Sequence, residues 1–177
     1  MTLCLRTLSI ETFIPMLKTL AALLDKASAH ASAKNFDDAP LVDARLAPDM
    51  YTLGQQVMMA CFHAEEAVAR LTGASLQPPT DGADHKTLDA LKERIARAVA
   101  QLEKVNDAAF ACAEGRNVIT PLFGNHVLEL NGADFLRRWS LPHFYFHVVT
   151  AYDLFRHNGV DIGKRDFLRV GDAIHVR

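Results

Sequence analysis

Apolar residues recur every three or four positions through "ETFIPMLKTLAALLDKASAHASAK", where Phe13, Leu17, Leu20, Leu24 and Ala27 form one stripe. That spacing predicts an amphipathic helix beginning near Thr12, since Pro15 is tolerated in a first turn that needs no donor there. A second stripe, Leu53, Val57, Cys61, Ala64, Val68 and Leu71, predicts a helix that Gly73 stops. A third, Leu88, Leu91, Ile95, Val99 and Leu102, follows Thr87, whose hydroxyl suits an N-cap. Between the first two helices "NFDDAPLVDARLAPDM" is polar and broken by prolines, so a loop with one short helical turn is expected; "ASLQPPTDGADHK" is a loop by composition. The pattern then changes. "NVITPLF" and "HVLEL" flank Gly124-Asn125 and predict a β-hairpin with a two-residue turn, its first strand kept short by Pro121. A fourth helix, "GADFLRRWSLPHFYFHVVTAYDLFRHNG", carries Pro142, where a kink or restart is expected. The tail that follows reads as irregular.

Four amphipathic helices and one hairpin predict an all-α four-helix bundle with a small β-hairpin inserted before the last helix. The chain of 177 residues fits a single domain over 1–177, with the hairpin at about 117–130 and an irregular tail at about 160–177. Half the residues are hydrophobic and the formal net charge is −2, which argues against non-specific binding to nucleic acid. Cys4, Cys61 and Cys112 are odd in number and lack CxxC spacing, so neither a disulfide framework nor a thiolate zinc site is expected. The N-terminus shows no signal peptide, and no run reaches the ~18 uninterrupted apolar residues of a membrane span. A cytoplasmic protein without membrane or nucleic-acid partners is the expectation.

The candidate chemistry lies in "LPHFYFHVV". His143 and His147 are one turn apart on the face that Ala151 and Leu154 continue, so both point into the bundle. Two imidazoles at this spacing can share a metal ion. They can equally be core histidines bonded to carbonyls or hydroxyls, and spacing alone does not choose. His63 is the best third candidate, at the edge of its helix's buried face with Gln56 and Ala67 as neighbours. Glu65 and Glu66 beside it are expected in solvent, with one available as an outer partner. His30, His85, His126, His157 and His175 read as structural or solvated. Phe144, Tyr145, Phe146, Tyr152 and Phe155 have the spacing of core packing, with a ligand pocket as the alternative.

A histidine midway along the second helix and HxxxH on the last one is the pattern of the DinB-like (YfiT-like) superfamily, which this sequence resembles over nearly its whole length. "LLDKASAH", "ARLAPDM", "LPHFYFHVVTAYDLFRHNGV" and "GKRDF" resemble more closely one branch of it, an uncharacterised bacterial and fungal family known only as a domain of unknown function. The resemblance implies a divalent metal, zinc or nickel, held by His63, His143 and His147 at one end of the bundle. It also implies a metal-dependent transferase or hydrolase acting on a small molecule or thiol, and a homodimer, which Met58, Met59 and Phe62 would accommodate. An ion on three neutral imidazoles keeps its full charge and an open position, where a water is acidified or a thiol binds as thiolate. The competing reading is a non-catalytic bundle without metal, its histidines packed and hydrogen-bonded, working by dimerisation or ligand sequestration.

Overall fold

The computed structural model describes residues 4–76 and 86–168. His85, His175, most of the proline-rich loop before the third long helix and the end of the tail lie outside the described residues. The elements in chain order are α1 (Leu5–Ala33), α2 (Ala39–Val42), α3 (Leu53–Thr72), α4 (Leu88–Glu103), β1 (Asn117–Pro121), β2 (Val127–Asn131), α5 (Gly132–Phe135), α6 (Leu141–His157) and α7 (Lys164–Leu168). The long helices α1, α3, α4 and α6 form the bundle: α4 packs on α1 and α3, α6 packs chiefly on α3, and α1 closes the ring against α6.

Helix α1 starts well before Thr12, and Pro15 sits in its interior. The buried stripe explains the longer helix, because it runs back through Ile10 and Ser9 to Leu5. Ser9 is buried without cost to its hydroxyl, which donates to the Leu5 carbonyl at 2.7 Å. Pro15 and Glu11 both lie on the exposed side. The carbonyl that Pro15 leaves without a helical donor therefore faces water. α1 is also long and apolar enough to cross a membrane by length and composition, with mean hydropathy 1.4 over its best window. A bundle core helix has the same composition, and here Phe13, Leu17, Leu20, Leu24 and Ala27 have no exposed surface.

The third long helix starts at the predicted Thr87 cap, and α3 starts at a capping threonine, Thr52, that its stripe does not mark. Thr52 Oγ1 accepts from the Gln55 amide at 3.2 Å while Gln55 Oε1 accepts from the Thr52 amide at 3.0 Å. Thr87 Oγ1 accepts from the Ala90 amide at 3.1 Å, and each such cap contributes about 1 kcal/mol. Gly73 ends α3 with φ +77°, a left-handed conformation that favours glycine.

The hairpin is antiparallel, with Ile119 opposite Glu129 and Pro121 opposite Val127. Its loop is longer than a two-residue turn: Leu122 N–H donates to the His126 carbonyl at 2.9 Å, enclosing Phe123, Gly124 and Asn125. Gly132 then leads directly into helix. A Cβ on Gly132 would stand 1.9 Å from the Ala113 carbonyl oxygen, so only glycine permits this approach of backbone to backbone.

The expected break at Pro142 takes the form of a π turn, Leu136–Ser140, that joins α5 to α6. The Leu141 amide donates to the Leu136 carbonyl five residues back. Proline offers no N–H to the carbonyl four residues before it and its ring crowds that oxygen; a wider turn relieves both problems. The tail is not wholly irregular, since α7 forms where Asp166 accepts from the Gly163 amide at 2.7 Å and pairs with Lys26 at 2.6 Å.

Phe13, Phe135, Phe144 and Phe155 are fully buried, and Phe13 meets Phe144 edge-on at 4.8 Å between ring centres. Met58 is buried in this same core, which leaves only Met59 and Phe62 partly exposed from the apolar surplus expected at a dimer contact.

Candidate functional site

The α3–α6 contact brings His63, His143 and His147 together. The His63 ring centre lies 4.6 Å from that of His143 and 5.3 Å from that of His147. His63 and His147 are buried and His143 is half-buried. His63 is thus better buried than its place at the edge of the α3 stripe predicts, because α6 packs closely over that edge.

Each ring is oriented by a neighbour. His63 Nδ1 is 3.2 Å from Glu66 Oε2. An ionised carboxylate only accepts, so Nδ1 carries the proton. Glu66 Oε1 accepts from Arg70 Nε at 2.9 Å, and Arg70 Nη1 donates to the Ile119 carbonyl of β1 at 2.9 Å. One chain of bonds therefore runs from an imidazole in the core to the hairpin. On the other side His147 Nδ1 lies 2.7 Å from Gln56 Oε1. The Gln56 amide nitrogen donates to the Tyr51 carbonyl at 3.4 Å, which fixes its oxygen toward His147. His147 thus donates through Nδ1, and as a neutral ring it keeps a lone pair on Nε2.

The electrostatics favour neutral rings on α6. Burial, then the nearby His63 and His143, push the His147 pKa down to about 3. Burial, then His63, also lower that of His143, with Glu66 opposing. For Glu66, burial alone would raise the pKa, but hydrogen bonds from His63 and Arg70 outweigh it and hold the carboxyl below its usual range.

A cluster of histidines is not yet a metal centre. The rings of His63 and His147 are stacked, with only 8° between their planes. The Nδ1 atoms of His63 and His147 are engaged by Glu66 and Gln56. Among the described residues no group of three or more His, Cys, Asp or Glu side chains is placed to hold a metal. The expected zinc or nickel at His63, His143 and His147 is therefore overturned, and with it the metal-dependent transferase or hydrolase that needed an activated water or thiolate.

What the cluster does present is unpaired polarity beside aromatic surface. His143 Nδ1, Trp139 Nε1 and Ser140 Oγ are all buried without a hydrogen-bond partner among the described residues. All three belong to the π turn and the first turn of α6. The Trp139 ring lies 4.2 Å from His143, Phe62 stands edge-on to His63 at 5.3 Å, and Tyr51 stacks on His147 at 6.4 Å. Phe146, more than half exposed, packs edge-on against His147.

Several of these residues escaped the sequence reading. Glu66 was expected in solvent but is 5% exposed; its spacing from His63 and Arg70, three and four residues, was the available signal. Glu65 is tied to Arg94 instead of solvated. Gln56, a neighbour of His63 on α3, serves His147 across the helix pair instead. Trp139 carried no motif. Of the aromatic run, Phe144 and Phe155 are core, while Tyr145 and Phe146 face outward. The remaining described histidines stand apart: His30 meets Phe36 at 5.8 Å, and His126 and His157 are exposed.

No curated protein matches the chain. Among solved structures it is similar to a DinB family member protein from Shewanella denitrificans, with 40% identity over 93% of this chain and 91% of that one and a TM-score of 0.84. That likeness fits the bundle and its inserted hairpin. Over residues 5–168 the sequence matches the domain of unknown function DUF1993, and the chain belongs to that family.

Proposed function

We propose that the protein binds a small neutral molecule at the histidine cluster without a metal. The observation that carries this reading is the unpaired buried pair, His143 Nδ1 and Trp139 Nε1. Leaving a buried polar group without a partner costs about 1–3 kcal/mol, so a ligand that supplies one gains that much on binding. Trp139 N–H can only donate, which calls for an acceptor such as a carbonyl or hydroxyl oxygen. The lowered pKa values of His143 and His147 leave neither of these rings charged to balance an anion, and the one carboxylate present already has Arg70. Charge thus favours a neutral ligand, and the rings of Tyr51, Phe62, Trp139 and Phe146 favour a flat apolar one.

Trp139 is the single tryptophan of the chain, so its fluorescence reports on this site alone. Titration with benzamide, set against benzoate as the charged comparator, should shift or quench the emission for benzamide at lower concentration. His143→Ala should weaken that response at least tenfold while the far-UV spectrum stays unchanged. An emission insensitive to both compounds, or a response that survives His143→Ala, would count against a binding site here.

A further inference from the structure

The chain sorts its three cysteines into two kinds. Cys61 has no exposed surface, and burial pushes its thiol up to about 12. Cys4 and Cys112 are exposed free thiols. Though far apart in sequence, both line one pocket of about 220 Å³, together with Leu5, Phe110, Ala113 and Glu114.

Specific contacts hold the two thiols on that pocket. Arg6, in the first turn of α1, pairs with Asp107 at 2.7 Å. Asp107 opens the short 3₁₀ turn Asp107–Phe110, which leads straight into Cys112. The pair therefore links the segment carrying one cysteine to the helix start carrying the other. Cys4 sits in extended backbone just before α1, its sulfur 3.6 Å from Thr7 Oγ1. The Thr7 backbone N–H, then the Thr7 hydroxyl, hold its thiol below the usual range, as expected for a sulfur at a helix N-terminus. Cys112 has φ +62°. A non-glycine residue in that left-handed conformation is strained by about 1–2 kcal/mol, a cost that its surroundings must impose.

The geometry points to Cys4 and Cys112 as a dithiol site that reacts with a hydroperoxide and closes to a disulfide across the pocket. Cys4, as thiolate, attacks one oxygen of hydrogen peroxide; an S–O bond forms, the O–O bond breaks, and the departing hydroxide takes up the proton that Cys4 released. The Cys112 sulfur then attacks the resulting sulfenic sulfur; the S–S bond forms, the S–O bond breaks, and the oxygen leaves as water with the Cys112 proton. Two thiols are oxidised to one disulfide and one peroxide is reduced to two waters. Cys61, buried and protonated, takes no part.

The test uses the full chain at low concentration, treated with one equivalent of hydrogen peroxide, then denatured, alkylated and mapped by mass spectrometry. The expected product is monomeric, lighter by two hydrogens before alkylation, with Cys4 joined to Cys112 and Cys61 alkylated. Cys112→Ser should stop at a Cys4 sulfenic acid that dimedone traps, and Cys4→Ser should consume peroxide roughly tenfold more slowly. Both thiols recovered alkylated, a disulfide between two chains, or a disulfide involving Cys61 would each overturn the assignment.

Discussion

Arg70 is the joint between the histidine cluster and the hairpin, and its removal has a magnitude that the structure sets. Arg70→Met keeps most of the apolar stem but deletes the guanidinium that holds Glu66 and the Ile119 carbonyl. Glu66 is only 5% exposed. Stripping one partner from a buried ion pair costs about 3–5 kcal/mol. The Arg70 side chain is 23% exposed, so water reaches part of the vacated space and the lower end applies. We expect a loss of about 3 kcal/mol in urea denaturation at pH 7, a fall of roughly 6–12 °C in Tm for a chain of this size. If the cost arises from an uncompensated carboxylate, Glu66→Gln in the Arg70→Met background should restore about 1–2 kcal/mol, because the amide still accepts from His63 without a charge. The pH dependence follows the same logic. Glu66 has a lowered folded pKa, so its contribution is complete above the unfolded value near 4.5 and is lost as pH falls through the folded value. In Arg70→Met that folded value rises, and the acid loss should begin at higher pH. A double variant no more stable than Arg70→Met, or an unmoved acid limb, would refute this account.

The neutral state of His147 predicts that its ring protons show no titration by NMR between pH 5 and 8, since its pKa lies at about 3. Its folded pKa is depressed, so its stabilising contribution is present above the unfolded value of 6.5 and declines as pH drops toward 3; His147→Phe should flatten that part of the stability curve. Phe144→Ala opens a cavity beside Phe13 and should cost about 3–5 kcal/mol in chemical denaturation. Gly132→Ala drives a Cβ into the Ala113 carbonyl and should cost about 3 kcal/mol or displace the hairpin, visible as shifted amide resonances from residues 113 to 131.

The parts of the molecule set by periodicity and capping were readable in advance. The stripes on α3 and α4, the Thr87 cap and the Gly73 stop depend on neighbours within a turn, which the order of residues displays. The convergence of His63, His143 and His147 was legible for a similar reason, because one falls midway along α3 and two share a face of α6. Whether they converge on an ion was not legible. That depends on ring torsions set by Glu66 and by Gln56, the latter 91 residues from its partner His147. Pro15 misled in the opposite sense: it marks a helix start only when the preceding residues lack a buried face, and Leu5 and Ile10 have one.

The π turn at Leu136–Ser140 holds one more residue than an α-helical turn would, and α6 hangs from it. Deleting any single residue of that stretch offers the chain an uninterrupted α-helix, an easy local change. The same deletion would rotate everything downstream by about 100° relative to α5. His143 and His147 would swing off the α3 contact together, and Phe144 and Val148 would lose their seats in the core. A chain one amino acid shorter could thus retain its helix content while losing both its register and its histidine cluster.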